Sequence, residues 1–292
     1  MIFFHSDTNR TAYRFETTRK GGELATQLQR HGWAIHEPQL LTRADIERYH
    51  SPQYVAAVAS GDPHELACSQ GFPWDTHMWD SVVAQCSALY AACQVAQRGQ
   101  HAYALAAGFH HARREHGAGF CTFNGIAIAC GELIRNGASR IAIVDVDAHH
   151  GGGTYSMVRE WPEVIHVDVS TNYYDAYRCA APHWSQKVDV ADAYLHAVDT
   201  ALATAATHLR AGDLCIYNAG VDVYEHCDVG GMAGIDVAMI AERERRVVAW
   251  ANQHNFTLAA CLAGGYHGPN FSLDMLHHLH IQSITTVVGQ TT

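Results

Sequence analysis

The sequence predicts an α/β protein: a single domain over residues 1–292, with helices on both faces of a central, mostly parallel sheet (three-layer α/β/α). Two observations support this class. From residue 102 onward, short apolar segments rich in β-branched residues alternate with helical patterns, and strands separated by helices usually form parallel sheets. In addition, no linker-like stretch or fixed-period repeat divides the 292 residues, so one domain is the simplest account.

The composition limits the class of protein and its partners. Lys and Arg number 19 against 29 Asp and Glu, which gives a formal charge of −10 and disfavours direct binding to nucleic acid. Nine cysteines without a C-x-x-C pair are typical of reduced thiols, which indicates a reducing, cytoplasmic compartment. We expect no signal peptide and no membrane span, because no apolar run is long enough. The oligomeric state is left open.

The first hundred residues predict short, interrupted elements. An apolar start predicts an edge strand, a polar loop follows over 6–20, and Gly32 separates a short helix from the next strand. Thr42 and Asp45 have the spacing of a capping box, and Pro52 suits the first turn of a helix. The predicted strands are 2–4 and 33–35, the predicted helices are 23–29, 42–49, 53–59 and 78–97, and 65–77 is a predicted loop.

The rest of the chain predicts regular alternation of strand and helix. The predicted strands are 102–106, 141–144, 164–169, 214–217, 258–262 and 284–288, and the predicted helices are 123–134, 155–161, 191–209 and 237–252. Segment 141–144 is apolar without a polar alternation, which is typical of a strand buried on both faces. We therefore expect it at the centre of the sheet.

Polar side chains begin where strand 141–144 should end. Asp145, Asp147 and His149 alternate along an extended segment and therefore point to one side. Because the ligand crevice of an open parallel sheet lies beyond the carboxyl ends of its strands, these side chains are placed to meet a ligand. Two carboxylates and an imidazole on one face require a positive charge among them, which favours a divalent metal. The simpler interpretation is that they are ordinary turn residues closing a strand.

The other polar clusters of the chain also follow strands. His110 and His111 come after strand 102–106, Asp222 after strand 214–217, and Tyr266 after strand 258–262. Each cluster alone is compatible with a loop pair, a helix cap or a packing aromatic. Chance would not favour the same end of several strands, so we expect these side chains to meet around the metal at one edge of the sheet.

This set predicts metal-assisted amide hydrolysis. Asp147, His149 and Asp222 provide three protein ligands and leave one position for water, as in catalytic zinc sites, although the same ligands also suit iron(II). The two adjacent imidazoles have ordinary pKa values near neutrality and suit proton transfer from water and to a leaving nitrogen. Tyr266, beside two glycines, is placed to donate a hydrogen bond to the developing oxyanion.

Five motifs resemble the histone deacetylase family of the arginase-deacetylase fold, and they occur in the family's order. They are G-F-H-H-A-R at 108–113, G-A-G-F-C-T-F-N at 117–124, D-V-D-A-H-H-G at 145–151, N-A-G-V-D at 218–222 and G-G-Y at 264–266. The short linker between the first two motifs, and D-A-H after the first carboxylate, are most similar to class IV members. The resemblance covers nearly the whole chain and implies the fold and deacylase activity of the family.

The resemblance also implies roles for the matching residues. It makes the Asp147, His149 and Asp222 side chains zinc ligands and Tyr266 the residue that polarises the carbonyl. Of the two histidines it favours His111 as base and acid, with His110 held by Asp145. Lining of a narrow tunnel for an aliphatic chain is implied for Gly119, Phe120, Gly265, and Tyr174 or its neighbour Tyr173. A structural K⁺ or Na⁺ is implied too, bound partly by backbone carbonyls around the first carboxylate motif.

Two departures from the family pattern affect the expectations. Gly152 stands where the family usually has the Asp or Asn that supports the second histidine, so the orientation of His111 requires a water, another side chain or a different division of labour. Tyr173 and Tyr174 stand where many members have phenylalanine, and a more polar tunnel wall would admit different acyl groups.

Three functions remain open from the sequence. The leading one is a zinc-dependent deacylase that acts on acyl-lysine or on a small acylated amine such as an acetylpolyamine. The second is an arginase-type ureohydrolase with two manganese ions, which the tandem histidines and Tyr266 disfavour. The third is a non-catalytic protein that binds acylated amines, for which Gly152 is the only support.

Overall fold

A computed structural model of the chain describes residues 1–13 and 15–289. Eight strands form one sheet in which every neighbouring pair is parallel. The strands are β1 (Ile2–Phe3), β2 (Ile35–His36), β3 (Ala102–Ala104), β4 (Ile141–Asp145), β5 (Val164–Ser170), β6 (Trp184–Lys187), β7 (Leu214–Ala219) and β8 (Thr257–Leu262). Their spatial order is β2-β1-β3-β8-β7-β4-β5-β6.

Helices cover both faces of the sheet. They are α1 (Glu16–Arg30), α2 (Arg43–Glu47), α3 (Pro52–Ser60), α4 (His64–Ala67), α5 (Met78–Ala96), α6 (Gly125–Arg135), α7 (Gly152–Val158), α8 (Tyr194–His208), α9 (Val237–His254) and α10 (Leu273–Val288). Helices α1, α8, α9 and α10 bury their apolar faces in one core, and α2, α3, α5 and α6 bury theirs in a second core on the opposite face. Across residues 1–13 and 15–289, no helix is both long and apolar enough to cross a membrane.

The register of the central strands brings the polar strand ends together. Strand β4 is fully buried, and its last residue, Asp145, pairs with Asn218 of β7 and with Asp168 of β5. Asn218 in turn lies opposite Cys261 of β8. The carboxyl ends of β4, β7 and β8 are therefore level, and the segments that follow them start from one edge of the sheet. The predicted three-layer α/β/α architecture with a parallel sheet is confirmed.

The prediction of a last strand at 284–288 is wrong. These residues form the end of α10, whose first turn is capped by Ser272, with the backbone N–H of Met275 as donor. The buried positions of this helix, at spacings of three and four, are Leu276, Leu279, His280, Ser283, Ile284 and Val287. Tertiary packing of this stripe overrides the strand preference of the β-branched residues near its end.

Several other boundaries differ from the predictions. Strand β1 is not at the edge of the sheet, because β2 lies outside it. The predicted loop 6–20 is shorter than expected, since α1 begins at Glu16. Arg14 of that loop lies outside the described residues. The first turns of this helix were not predicted, because the glycine pair at 21–22 lowers the helix propensity of the segment. Glycine is needed at position 21, where the helix packs directly against the backbone of Leu105. Strand β6 was not predicted, because its side chains are mostly polar, and α7 begins at Gly152 rather than at residue 155.

A buried histidine makes the fold sensitive to acid. His50 is fully buried, and its Nε2 accepts a hydrogen bond (2.9 Å) from the backbone N–H of Asn124, the N-cap of α6. Burial lowers the pKa of His50 to about 3. The unfolded chain therefore binds a proton at this group below about pH 6.5 while the folded protein does not, so stability falls as the pH decreases.

We expect His50→Asn, which retains a hydrogen-bond acceptor but does not titrate, to reduce this acid sensitivity. Between about pH 6.5 and the folded pKa, the slope of the free energy of unfolding against pH should be smaller by up to about 1.4 kcal/mol per pH unit. Urea unfolding at a series of pH values measures the slope. His196→Asn, at an exposed position of α8, is the control. Equal slopes for His50→Asn and the unmodified protein would contradict the assignment.

Candidate active site

Three side chains meet beyond the carboxyl ends of β4 and β7. The ligand atoms of Asp147, His149 and Asp222 lie within 4.8 Å of one another, so this group could hold a metal ion. Backbone donors fix the two carboxylates: the N–H of Ala148 donates to Oδ1 of Asp222 (2.9 Å), and the N–H of Gly264 donates to Oδ2 of Asp147 (2.6 Å). A methyl group on Gly264 would lie 1.9 Å from Oδ2 of Asp222, so only glycine allows this approach.

The charges of this group fit a bound cation. Burial, together with the neighbouring charge of Asp147, raises the pKa of Asp222 to about 6. Burial lowers the pKa of His149, but the two carboxylates outweigh it and raise the pKa to about 10. Oδ2 of Asp222 is buried, and Nδ1 of His149 lies 3.0 Å from it. Two carboxylates that hold an imidazole in its protonated form provide a site where a divalent metal can replace the proton.

His110 is held rigidly beside this group. Its Nδ1 lies 2.9 Å from Oδ2 of Asp145, and the other oxygen of Asp145 accepts hydrogen bonds from Nδ2 of Asn218 (2.9 Å) and from the N–H of Asp147 (3.2 Å). Burial lowers the pKa of His110, but the charges of Asp145 and Asp147 more than compensate and raise it to about 10. Asp145 thus acts as a fully hydrogen-bonded partner of His110.

His111 lies against His110, with ring centroids 4.0 Å apart, but its electrostatic environment differs. Burial and the neighbouring His110 lower the pKa of His111 to about 4, and the carboxylate of Asp175 opposes this shift only in part. Nδ1 of His111 lies 2.9 Å from Oδ2 of Asp175, while Arg113 donates to the other oxygen of that carboxylate. At neutral pH His111 is therefore an uncharged imidazole, suited to accept a proton.

Tyr266 faces the same group from the end of β8. Its ring packs against Phe15 and Phe120, with centroid distances of 5.4 and 6.1 Å. Burial and the nearby carboxylates raise the pKa of Tyr266 well above its ordinary value, so the phenol keeps its proton and remains a donor. Gly265, expected among the tunnel residues, instead faces the core: a methyl group there would meet Val221 and Leu276.

A cleft of about 500 Å³ leads from the surface to His149 and Tyr266. Phe120, Gly119 and Tyr174 line it, and the ring of Tyr174 stands edge-on to His111 with a centroid distance of 4.8 Å. Of the two adjacent tyrosines, Tyr174 is the one on the wall. Tyr173 does not line the cleft, because its ring turns outward under the ammonium group of Lys187, 4.4 Å from the ring centroid, and is 72% exposed.

Comparison with known proteins gives the family. Residues 6–282 match the histone deacetylase domain. The chain belongs to the histone deacetylase family. An uncharacterized protein of Picosynechococcus is 29% identical to this chain over 247 residues, which cover 80% of this chain and 78% of the relative. Histone deacetylase 2 of Arabidopsis thaliana is 29% identical over 254 residues, covering 80% of this chain and 63% of the relative.

A solved structure agrees at the level of the fold. The acetylpolyamine aminohydrolase of Burkholderia pseudomallei superimposes on this histone deacetylase-family chain with a TM-score of 0.78 and 20% sequence identity, over 99% of this chain and 98% of that one. Family membership identifies the chain as a hydrolytic deacetylase. The narrower assignment to class IV stays a prediction.

Two side chains of this histone deacetylase-family site were not predicted. Asp175 has no motif around it, and only its position after the tyrosine pair gave a signal. Lys20 was assigned to a loop, but it lies on α1, fully buried, and donates a hydrogen bond to the carbonyl oxygen of Ala263. Burial lowers the pKa of Lys20 to about 8, although the carboxylates of Asp222 and Asp147 oppose the shift. Its ammonium group ties α1 to the segment that carries Tyr266.

The neighbourhood of Asp168 bears on the monovalent cation that the family resemblance implies. Oδ2 of Asp168 accepts hydrogen bonds from the N–H of Gly151 (2.9 Å) and from the hydroxyl of Tyr177 (3.0 Å). Oδ1 of Asp168 is buried and has no hydrogen-bond partner. Since Asp168 pairs with Asp145 across β4 and β5, this free oxygen lies beside the segment whose carbonyls are expected to bind the cation. An oxygen donor of this kind fits K⁺ or Na⁺.

Proposed function

We propose that the protein is a zinc-dependent deacylase that hydrolyses the amide of an acylated lysine side chain, with residues 1–292 as one catalytic domain. The observation that carries this proposal is the arrangement at the base of the cleft. A buried Asp–His–Asp group suited to a metal is flanked by an uncharged imidazole, His111, and by a phenol that keeps its proton, Tyr266. Amide hydrolysis needs these three components: a Lewis acid, a base and an oxyanion donor.

The proposed mechanism assigns a step to each side chain. Asp147, His149 and Asp222 would hold the metal, which when bound polarises the amide carbonyl and acidifies water. His111 takes the proton of the attacking water through Nε2, since its Nδ1 faces the carboxylate of Asp175. The same imidazole then delivers that proton to the leaving amine. Tyr266 donates its hydroxyl proton as a hydrogen bond to the oxygen that becomes negative.

His110 has a supporting part in this proposal. Its imidazole, paired with Asp145, keeps a positive charge beside Asp147 and the reacting centre. That charge lowers the pKa of the neighbouring His111 and stabilises developing negative charge. His110 and His111 therefore have different roles because their carboxylate partners and surroundings differ.

The lining of the cleft favours acyl-lysine in a peptide over an acylated polyamine. Along the part of the cleft that the structure describes, no lining residue is Asp, Glu, Lys or Arg. A polyamine carries further ammonium groups, which require carboxylates when they lose solvent. Two acidic residues that precede the cleft residues in sequence are already engaged: Asp75 accepts hydrogen bonds from the backbone of Ala12 and His77, and Asp80, in the first turn of α5, pairs with Arg10. Phe120 and Tyr174 instead suit an aliphatic stem.

The two alternative functions receive less support. A binuclear ureohydrolase needs carboxylates for a second metal, but both oxygens of Asp145 are engaged by Asn218, Asp147 and His110. A non-catalytic binding protein was favoured only by Gly152, which removes the usual support of the second histidine. Asp175 reaches that histidine from another segment, so the observation no longer favours a binder.

The test is the metal content of the purified protein together with turnover of three substrates. These are an acetyl-lysine peptide, a long-chain acyl-lysine peptide and an acetylpolyamine. We expect one zinc or iron per chain, hydrolysis of an acyl-lysine peptide with higher kcat/KM than the polyamine, and inhibition by a hydroxamate. Two manganese ions with release of urea would replace the proposal by a ureohydrolase, and bound metal without any turnover would replace it by a binding protein.

A further inference from the structure

The segment 172–177 places the carboxylate of Asp175 beside Gly152, a position that has no side chain of its own. Gly152 opens α7, and a methyl group there would lie 2.3 Å from the carbonyl oxygen of Asp175 and 2.6 Å from its Oδ1. Any larger residue at position 152 would therefore push Asp175 away. Asp175 itself has a φ of +58°, a left-handed conformation that a non-glycine residue adopts at a cost.

Three donors hold the carboxylate of Asp175 in this position. Oδ2 lies 2.9 Å from Nδ1 of His111 and accepts the N–H of Gly153 (3.1 Å), while Arg113 donates to Oδ1. The carboxylate is nearly buried, with 7% of the side chain exposed. A buried carboxylate with three donors around it is held in place by these contacts.

We propose that Asp175 is a positioning residue of the hydrolysis, which orients His111 and keeps the imidazole proton on Nδ1. An ionised carboxylate only accepts hydrogen bonds, so the ring nitrogen that faces it carries the proton. Nε2 of the neutral ring then has its lone pair free for the proton of water. This inference rests on the proposed function, and it assigns the role to a residue 23 positions beyond the place where the family usually carries it.

The first test is Asp175→Asn. Because Arg113 is a donor only, it retains the amide oxygen, and the amide nitrogen then faces His111 and forces the proton onto Nε2. We expect kcat to fall about 10²-fold with KM and metal content unchanged, since the contact with His111 acts on the chemical step. The melting temperature should decrease slightly, because the amide nitrogen no longer accepts the N–H of Gly153. Asp192→Asn makes the same substitution at an exposed site and is the control. An unchanged kcat in Asp175→Asn would overturn the proposal.

The second test asks whether Gly152 and Asp175 act as one unit. Gly152→Ala displaces the segment of Asp175, so we expect a similar loss of kcat. In the double variant with Asp175→Asn, the loss should equal that of Gly152→Ala alone, because the same contact is already gone. Losses that multiply independently would show that Gly152 acts by another route and would overturn the pairing.

A third measurement does not depend on turnover. In the metal-loaded, unmodified protein labelled with ¹⁵N-histidine, the downfield Nδ1 protons should include one for His110 with Asp145 and one for His111 with Asp175. Asp175→Ala should lose one of them, and Asp192→Asn should keep both. Survival of both protons in Asp175→Ala would overturn the proposal. If they behave as expected but the unmodified protein hydrolyses no substrate, the contact stands and the proposed function fails.

Discussion

Asp222→Ala is expected to lose bound metal and catalytic activity together. Asp222 supplies one of the three proposed ligands, and its Oδ2 lies 3.0 Å from Nδ1 of His149. Two remaining ligands are fewer than the three protein ligands of a catalytic zinc site. Because a bound metal lowers the activation barrier by several kcal/mol, its loss should reduce kcat about 10³-fold or more. Metal analysis of the purified variant and its rate with an acyl-lysine peptide measure the two effects.

The control for this variant is another aspartate that has a purely structural contact. Asp236 caps α9 by accepting the N–H of Met239 at 2.8 Å. Asp236→Ala should cost about 1 kcal/mol of stability while metal and turnover stay intact. Stoichiometric metal in folded Asp222→Ala, checked by circular dichroism, would show that the third ligand lies elsewhere.

Tyr266→Phe is expected to reduce kcat by about 10²–10³-fold, because it removes a hydrogen bond made in the transition state. The ring contacts with Phe15 and Phe120 remain, so fold and metal content should not change. Since the donor acts only on the developing charge, KM should stay nearly constant. Steady-state kinetics on the metal-loaded variant separate the two parameters.

A remote tyrosine provides the comparison for this variant. The hydroxyl of Tyr90 on α5 accepts a hydrogen bond from Asn136 at 3.0 Å, so Tyr90→Phe also removes one contact of a phenol. Its rate should equal that of the unmodified protein. If Tyr266→Phe behaves like Tyr90→Phe, Tyr266 has no part in the mechanism and another donor must stabilise the oxyanion.

Much of the site could be predicted because its residues follow strands with a strong signal. Strand β4 is an unbroken β-branched run, and Asp147 and His149 alternate directly after it. The positions of His110, His111 and Tyr266 at one edge follow from the parallel register of the sheet. These predictions needed only the direction of each strand, which the alternation with helices supplies.

The remaining features depend on contacts between distant segments. Asp175 meets His111 across 64 positions of the chain, in a loop that has no periodicity. Lys20 contacts Ala263 across 243 positions of the chain. It lies on α1, whose first turns were not predicted because two glycines lower the helix propensity there. Ile284 and Val287 have the composition of a strand, but the apolar stripe that makes them helical is apparent only when α10 packs on the sheet.

The metal group and the partner of His111 follow different strands of the sheet, and we expect these parts of the fold to differ in resistance to heat. Asp147 and Asp222 follow β4 and β7, each flanked by strands on both sides, whereas Asp175 lies in the connection to β6, the outermost strand. Outer strands and their connections open at a smaller free-energy cost than central ones. On gradual warming, turnover should therefore disappear while the metal is still retained, and enzymatic inactivation would precede demetallation of the protein.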